Sequence, residues 1–403
     1  MTAAPVPGRT RALGLIAFGQ LLVLSLWFSA SAVSPQLAGE WELSASAETG
    51  LTLFVQIGFV AGALLISASS IADSIPSRRL FVSSAIVASL VNLGLLAMGE
   101  GTVEIALGLR FLTGMLIAGV YPAGLKVMSG WFRSNRGMAL GVLVGALTVG
   151  SATPHLVRGI GLEWRGVVIS SSVLALAGAL LMTRVGDGPF EVARQPFRWG
   201  QALQAMRSRG VRLSTFGYLG HMWELYAMWT WMAAFLAASS AEAGGGYGSI
   251  SILTFGVIAI GGLGSWVAGL VADRWGRTMV AGGAMAISGT CALATPLIFG
   301  ASAPIVIPVV LLWGITVVAD SAQFSTMVTE VASQEVRGTA LTLQTALGFL
   351  LTLVTIRGVP LLADALTWRW AFPVLAVGPA LGVVAMARLR RSPDSVRLAA
   401  GRG

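Results

Sequence analysis

The sequence predicts an all-α polytopic membrane protein with twelve transmembrane helices, arranged as two six-helix pseudo-repeats. Three observations support this. The chain of 403 residues is 55% hydrophobic and only 11% charged, and its mean hydropathy is +0.81, whereas a soluble domain carries about 25% charged residues. Long runs without any charge recur along the chain, and three short motifs return about 200 residues after their first appearance.

The uncharged or nearly uncharged runs define twelve spans, numbered here in chain order. One membrane-crossing helix needs about 20 apolar residues, and continuous apolar runs differ from the alternating pattern of a membrane barrel. The windows are 12–39, 49–72, 80–99, 105–131, 137–157, 166–183, 213–240, 243–272, 278–319 (spans 9 and 10, with a break near Pro296, Gly300 and Pro304), 338–356 and 370–387. We expect span 1 to be one helix over 12–34, retained and not a signal peptide.

Three pairs of motifs indicate an internal duplication. "SIADSIPSRRLFV" resembles "LVADRWGRTMV", "SNRGMALGVLVGAL" resembles "EVRGTALTLQTAL", and "LEWRGVVISSSVLALAGALLM" resembles "LTWRWAFPVLAVGPALGVVAM". The members of the pairs are 200, 201 and 204 residues apart, in the same order along the chain. We therefore expect a six-helix bundle at 1–183, a cytoplasmic linker at 184–212, and a second six-helix bundle with a cytoplasmic tail at 213–403.

The basic residues orient the chain. The net charge is +9, and the arginines concentrate in alternate connections between spans, which is the positive-inside pattern. This pattern predicts cytoplasmic termini and a multi-pass protein of the cell inner (plasma) membrane, and it accounts for the charge without a nucleic-acid partner. A single cysteine, Cys291, excludes a disulfide within the chain.

The stretch "GLVADRWGRT" (269–278) carries the clearest motif, and a second copy that matches it less completely lies at 69–79. With the six-plus-six repeat, it resembles the loop motif of the major facilitator superfamily (MFS) of secondary transporters. "RFLTGMLIAG" (110–119) is similar to that family's helix-4 motif, which begins at Arg110. The resemblance implies transport by alternating access, with charged latches at the cytoplasmic gate; the alternative is that these residues only cap helices. The gating candidates are Asp73, Arg78, Arg136, Gly269, Asp273, Arg274, Gly276, Arg277 and Arg337.

Ionisable groups at membrane depth are costly, so they are candidates for the substrate or proton pathway. Arg110 is expected to attract an anion or to help couple protons, and the alternative is a buried structural ion pair. His221 and Glu224 lie on one face of span 7, suited to proton exchange or to a His–Glu hydrogen bond that locks the helix. Polar faces recur on spans 1, 4, 7 and 10, which correspond in the repeat and are expected to line a central cavity. The candidates on these faces are Gln20, Trp27, Arg110, Tyr121, His221, Glu224, Asp320 and Gln323.

The leading hypothesis is a secondary active transporter of a small organic solute, driven by protons. No phosphate-binding loop, metal-ligand cluster or nucleophile set is visible, so we expect no enzyme activity and no cofactor. The expected partners are the lipid bilayer, a small-molecule substrate and protons, with the chain a monomer. Three alternatives remain open: an importer of a small inorganic or organic anion, of the nitrate, nitrite or cyanate kind, an exporter of amphipathic drugs, and a membrane receptor or assembly partner that does not transport.

Overall fold

The computed structural model describes residues 7–69, 75–132, 136–190 and 199–403. The chain is 84% helical, without strands in this described part, so the predicted all-α fold is confirmed. Ten helices are long and apolar enough to cross a membrane. They are Ala45–Ala68 (span 2), Ser77–Ala97 (span 3), Val103–Trp131 (span 4), Gly137–Gly159 (span 5), Trp164–Thr183 (span 6), Ile250–Trp275 (span 8), Arg277–Ile298 (span 9), Ala303–Val331 (span 10), Arg337–Leu366 (span 11) and Trp368–Arg390 (span 12).

Spans 1 and 7 complete the predicted set of twelve. Span 7 is one unbroken helix, Arg209–Glu242. Span 1 begins as the helix Arg9–Leu24, leaves helical geometry at 25–30, and resumes as a 3-10 turn and the helix Ser34–Glu40. The prediction of one continuous helix over 12–34 was therefore wrong. The carbonyl groups of Leu26 and Trp27 bind a side chain of another span, described below, whereas those of Phe28 and Ala30 accept from the amides of Ala32 and Val33.

Spans 4, 8 and 10 are each built from two stacked helices. In span 4 the interruption follows Val103–Ile117, and in span 8 it follows Ile250–Ala259. In span 10 the helices Ala303–Ala319 and Ser321–Val331 are separated only by Asp320. A short helix, Trp199–Arg207, precedes span 7, and Pro393–Gly401, which contains 3-10 turns and non-helical main chain at 398–400, follows span 12.

The chain divides into two compact units, Met1–Pro196 and Phe197–Gly403. The boundary lies within the segment 184–212, where the sequence predicts a linker. Inside each unit the same close contact recurs between the second and the fourth span. A Cβ atom at Gly114 would lie 2.0 Å from the carbonyl oxygen of Val55, and one at Gly314 would lie 1.9 Å from that of Val257. Both helix pairs therefore need a glycine where their main chains touch.

An ion pair also recurs in both units. It lies at the end of each unit that is opposite to the loop motif. Arg165 Nη2 lies 2.6 Å from Glu40 Oε1, and Trp164 Nε1 donates to the same carboxylate. In the second unit Arg369 pairs with Glu242. In both units an acid at the end of the first span of the unit binds the Trp-Arg dipeptide that begins its sixth span.

Candidate functional site

A deeply buried acid lies in the second unit, on span 7. Glu224 is 1% exposed, and both of its carboxyl oxygens accept hydrogen bonds from other spans. Ser288 Oγ of span 9 donates to Oε2 at 2.8 Å, and Trp313 Nε1 of span 10 donates to Oε1 at 2.7 Å. We call Glu224, Ser288 and Trp313 the acid site. It joins three spans through a single carboxyl group.

A second buried acid, Asp320 of span 10, faces span 7 about one turn from Glu224, at His221. Asp320 Oδ1 is 2.8 Å from His221 Nδ1, and both side chains are almost completely buried. Within the described residues, Asp320 Oδ1 and His221 Nε2 have no other hydrogen-bond partner. The phenyl ring of Phe324 packs 5.7 Å from the imidazole. His221 thus pairs with Asp320, so the alternative of a His221–Glu224 hydrogen bond was wrong.

The loop motif forms a third group, at the end of the second unit where span 8 turns into span 9. Arg277 is 7% exposed and binds three acceptors. Its Nε donates to both oxygens of Glu330 at 2.9 Å, its Nη1 to Gln323 Oε1 at 3.2 Å, and its Nη2 to Asp273 Oδ1 at 3.0 Å. We call Asp273, Arg277, Gln323 and Glu330 the Arg277 cluster. Gln323, expected on a cavity wall, instead belongs to this cluster.

In the first unit, Arg110 is completely buried and is surrounded by neutral acceptors. Its Nη2 donates to the carbonyl oxygens of Trp27 (2.6 Å) and Leu26 (3.3 Å), in the broken turn of span 1. Its Nη1 reaches Ser29 Oγ and Asn92 Oδ1, both at 3.1 Å. The remaining nitrogen, Nε, donates to the carbonyl oxygen of Leu51 at 3.3 Å.

All three guanidinium nitrogens of Arg110 are therefore engaged, and no carboxylate pairs with it in the part of the chain that the structure describes. In the broken turn of span 1, the carbonyl group of Trp27 binds Arg110, and that of Leu26 is shared between Arg110 and Ser29. The buried-ion-pair alternative finds no acid partner here. A role in anion attraction stays a prediction, and it would require these bonds to be exchanged.

The other pathway candidates make fewer contacts. Gln20 Nε2 donates to the carbonyl oxygen of Leu143 on span 5 at 3.0 Å, and Trp27 packs its ring against Phe59, with centroids 5.0 Å apart. Tyr121 begins the second helix of span 4 and is half-buried. The structure does not bring Gln20 or Tyr121 into contact with Arg110 by any hydrogen bond among the described residues.

The other gating candidates differ in their surroundings. Arg78 Nη1 donates to the carbonyl oxygen of Val185 at 2.9 Å, and Arg337 Nη2 donates weakly to that of Ala332 at 3.4 Å. Gly269 is buried in span 8, Arg274 is exposed, and Gly276 forms the turn into span 9 with φ of 94°. Asp73 and the side chain of Arg136 lie outside the described residues.

Two residues of these sites escaped the sequence analysis. Ser288 is one small polar residue in a long apolar run, and nothing in its neighbourhood singles it out. Glu330 carried a usable signal. It is an acid near the end of span 10 on the side that is otherwise rich in arginine, and such an exception indicates an ion pair.

Comparison with known proteins bears on the whole chain. The profile of the Major Facilitator Superfamily matches residues 16–356, from span 1 into span 11. The chain belongs to the Major Facilitator Superfamily. It is also 27% identical over 180 residues to a protein of Saccharomyces cerevisiae named "Uncharacterized transporter ESBP6". The matched region is 42% of this chain and 27% of that relative, so the chain spans about a quarter of the relative's length.

Membership of the Major Facilitator Superfamily confirms the family resemblance of the loop motif and establishes a multi-pass protein of a lipid bilayer. In this superfamily member, span 10 carries a partner for each of three buried groups of the second unit, Glu224, His221 and Arg277. Trp313 binds the acid site, Asp320 faces His221, and Gln323 binds Arg277. The polar stripe that the sequence predicted on span 10 is thus used for contacts inside the unit.

Proposed function

We propose that the protein is a secondary active transporter that moves a small organic solute across the inner membrane by alternating access, coupled to protons. In this proposal both termini are cytoplasmic, Glu224 carries the proton, and the Arg277 cluster belongs to the cytoplasmic gate. Family membership and the name of the yeast relative support transport. Proton coupling is supported by the geometry of the acid site.

The observation that carries the proposal is that the acid site can satisfy Glu224 in two protonation states. When the carboxyl group is ionised, it accepts from Ser288 Oγ and Trp313 Nε1. An indole N–H can only donate, so an added proton must reside on Oε2, facing Ser288. The Ser288 oxygen then accepts that proton, and its own hydrogen turns to the carbonyl oxygen of Met285, 3.2 Å away.

No polar group of the acid site is left without a partner in either state. A buried donor or acceptor that loses its partner costs about 1–3 kcal/mol, so a site with only one favourable arrangement would oppose the gain or the loss of a proton. The hydroxyl of Ser288 removes most of that penalty by rotating. A purely structural carboxyl group needs only one arrangement.

The second acid supports a path from the acid site to the gate. Asp320 faces His221, and it interrupts span 10 between two helices. Gln323 follows three residues later and binds Arg277. We propose that a change of charge at Asp320 reaches the Arg277 cluster through this short helical segment.

The surroundings of Arg110 bear on the choice of substrate. An importer of a small anion that used Arg110 as its anchor would first have to break bonds to the turn 25–30. An organic solute that binds elsewhere has no such cost. We therefore favour an organic solute over an inorganic anion.

The test is solute-driven proton movement in proteoliposomes that enclose a pH-sensitive dye. A panel of organic acids, amphipathic cations and small inorganic anions is added under an imposed pH gradient. We expect one solute class to move protons in the wild type, Glu224→Gln to abolish this movement, and Glu163→Gln, at an exposed position, to retain it. Solute uptake without proton movement would refute coupling, and saturable binding without uptake of any solute would favour a receptor.

A further inference from the structure

The segment that follows span 12 returns to the loop motif. We call residues 392–403 the strap. Arg402 Nη1 donates to the carbonyl oxygen of Asp273 at 2.8 Å, at the end of span 8. Thr278 Oγ1, at the start of span 9, donates to the main-chain oxygen of Gly403 at 2.7 Å. The amide of Ala399 donates to Glu330 Oε2 at 3.1 Å, at the end of span 10. The strap therefore contacts three spans at once.

The surface under the strap fits its main chain closely. A Cβ atom at Gly276 would lie only 2.2 Å from the carbonyl oxygen of Arg402, so the glycine of the motif lets the strap approach. Leu398 is completely buried, and Thr278 is only 2% exposed. By contrast, Val396 on the outer side of the strap is 69% exposed. The strap is thus held along one face.

The strap is held in a conformation that it would not keep alone. Ala399 and Ala400 have φ of 47° and 55°, in the left-handed region that is unfavourable for residues with a Cβ atom. Such conformations persist only where the surrounding contacts impose them. Docking therefore stores strain in the strap, and release of the contacts lets the main chain relax.

The first unit repeats this arrangement independently. After span 6, residues 184–190 return to the start of span 3 and the end of span 4. Arg78 Nη1 donates to the carbonyl oxygen of Val185 at 2.9 Å, and the amide of Phe190 donates to that of Gly130 at 3.1 Å. Arg78 and Gly130 precede their counterparts, Thr278 and Glu330, by 200 positions. The duplicated fold has kept the contact in both units with different side chains.

We propose that the ends of spans 8, 9 and 10 form a peptide-binding surface whose occupant is the strap, and that strap docking restrains the Arg277 cluster. The physical link is Glu330, because its Oε2 accepts both from Arg277 Nε and from the amide of Ala399. Release of the strap removes one of the donors that fix this carboxylate and separates the ends of spans 8 and 9 from their shared partner. Only the consequence for transport depends on the gating role proposed above; docking itself does not.

Hydrogen exchange of the full-length protein in lipid nanodiscs tests the docking. Arg402→Ala removes the bond to span 8, and Thr278→Val removes the bond from span 9. Arg397→Ala is the matched control, because Arg397 lies in the same segment, is half-exposed, and is 3.9 Å from Asp394 of that segment. We expect the amide of Ala399 and the first turn of span 9 to exchange at least tenfold faster in both variants, but not in the control.

Two results would overturn the proposal. The first is exchange at Ala399 in the wild type at the rate of an unstructured peptide, since the strap would then be undocked. The second is equal exchange in Arg402→Ala and Arg397→Ala. If docking is confirmed and both variants leave solute flux unchanged, the restraint on the cluster is wrong. A wild type that docks its strap and moves no solute leaves the binding surface in place and rejects the proposed function alone.

Discussion

Replacement of Glu224 tests whether the hydrogen bonds of the acid site can be satisfied around a neutral side chain as well as around an ionised one. In Glu224→Gln the amide must turn its oxygen to Trp313, which only donates, and its NH2 group to Ser288. The hydroxyl of Ser288 then donates to the carbonyl oxygen of Met285, 3.2 Å away. Both hydrogen bonds of the acid site are kept, so we expect the free energy of unfolding to fall by less than the about 1–3 kcal/mol that one unpaired buried donor costs.

Glu224→Ala has a different outcome. Ser288 keeps its bond to Met285, but the indole N–H of Trp313 has only Glu224 as its acceptor at 2.7 Å. One buried donor is orphaned, which costs about 1–3 kcal/mol, and loss of the side chain leaves a cavity that adds to this cost. The alanine variant should thus be less stable than the glutamine variant by at least about 1–3 kcal/mol.

The assay is thermal and denaturant unfolding of both variants in one detergent, followed by tryptophan fluorescence. Glu163→Ala serves as a control for the loss of a glutamate at an exposed position. Equal destabilisation by glutamine and alanine would refute the reasoning, because it would mean that the site cannot rearrange around a neutral partner. A glutamine variant that is clearly more stable than the wild type would indicate that the carboxyl group lowers the free energy of unfolding and is kept for its function.

Three further predictions follow from the packing and the buried bonds. Arg110→Lys offers three donors instead of five, so the carbonyl groups of the turn 25–30 lose a partner, and unfolding should become easier by about 1–3 kcal/mol; unchanged stability would refute the structural role. Gly314→Ala should prevent proper folding, because its Cβ would lie 1.9 Å from a main-chain oxygen. Gly256→Ala has open space around it and should be neutral or stabilising by up to about 1 kcal/mol. Expression level and thermal stability are measured for both variants. Arg165→Ala breaks a half-exposed ion pair and should cost no more than about 1 kcal/mol, with a smaller effect at high salt; a larger, salt-independent loss would contradict this.

The membrane spans and the duplication could be predicted because they depend on local properties. Apolar length and the positions of arginines are visible in any window, and the break between spans 9 and 10 was visible in Pro296, Gly300 and Pro304. The break in span 1 was not visible. Residues 25–30 are apolar or small and fit a helix, and the group that binds the carbonyls of Leu26 and Trp27 is Arg110, more than 80 positions away.

The acids of the site could be predicted, but their partners could not. Charges at membrane depth are rare enough to identify Glu224, His221 and Asp320 from sequence alone. Helical spacing places His221 and Glu224 on one face, which favoured a contact between them. The packing of span 10 instead gives each its own partner, and which residues of two spans meet depends on the crossing of the helices, which periodicity does not encode.

The position of these partners on span 10 has a consequence for coupling. Trp313 touches the proposed proton carrier, Asp320 faces His221, and Gln323 holds Arg277. The span is interrupted at Asp320, where the two helices of span 10 meet. A change at the acid site and a change at the Arg277 cluster therefore act on two helices that share one junction. Coupling within this unit requires only that the angle at Asp320 depends on its charge, so Asp320→Asn should uncouple proton movement from solute movement while leaving the bonds of Glu224 intact.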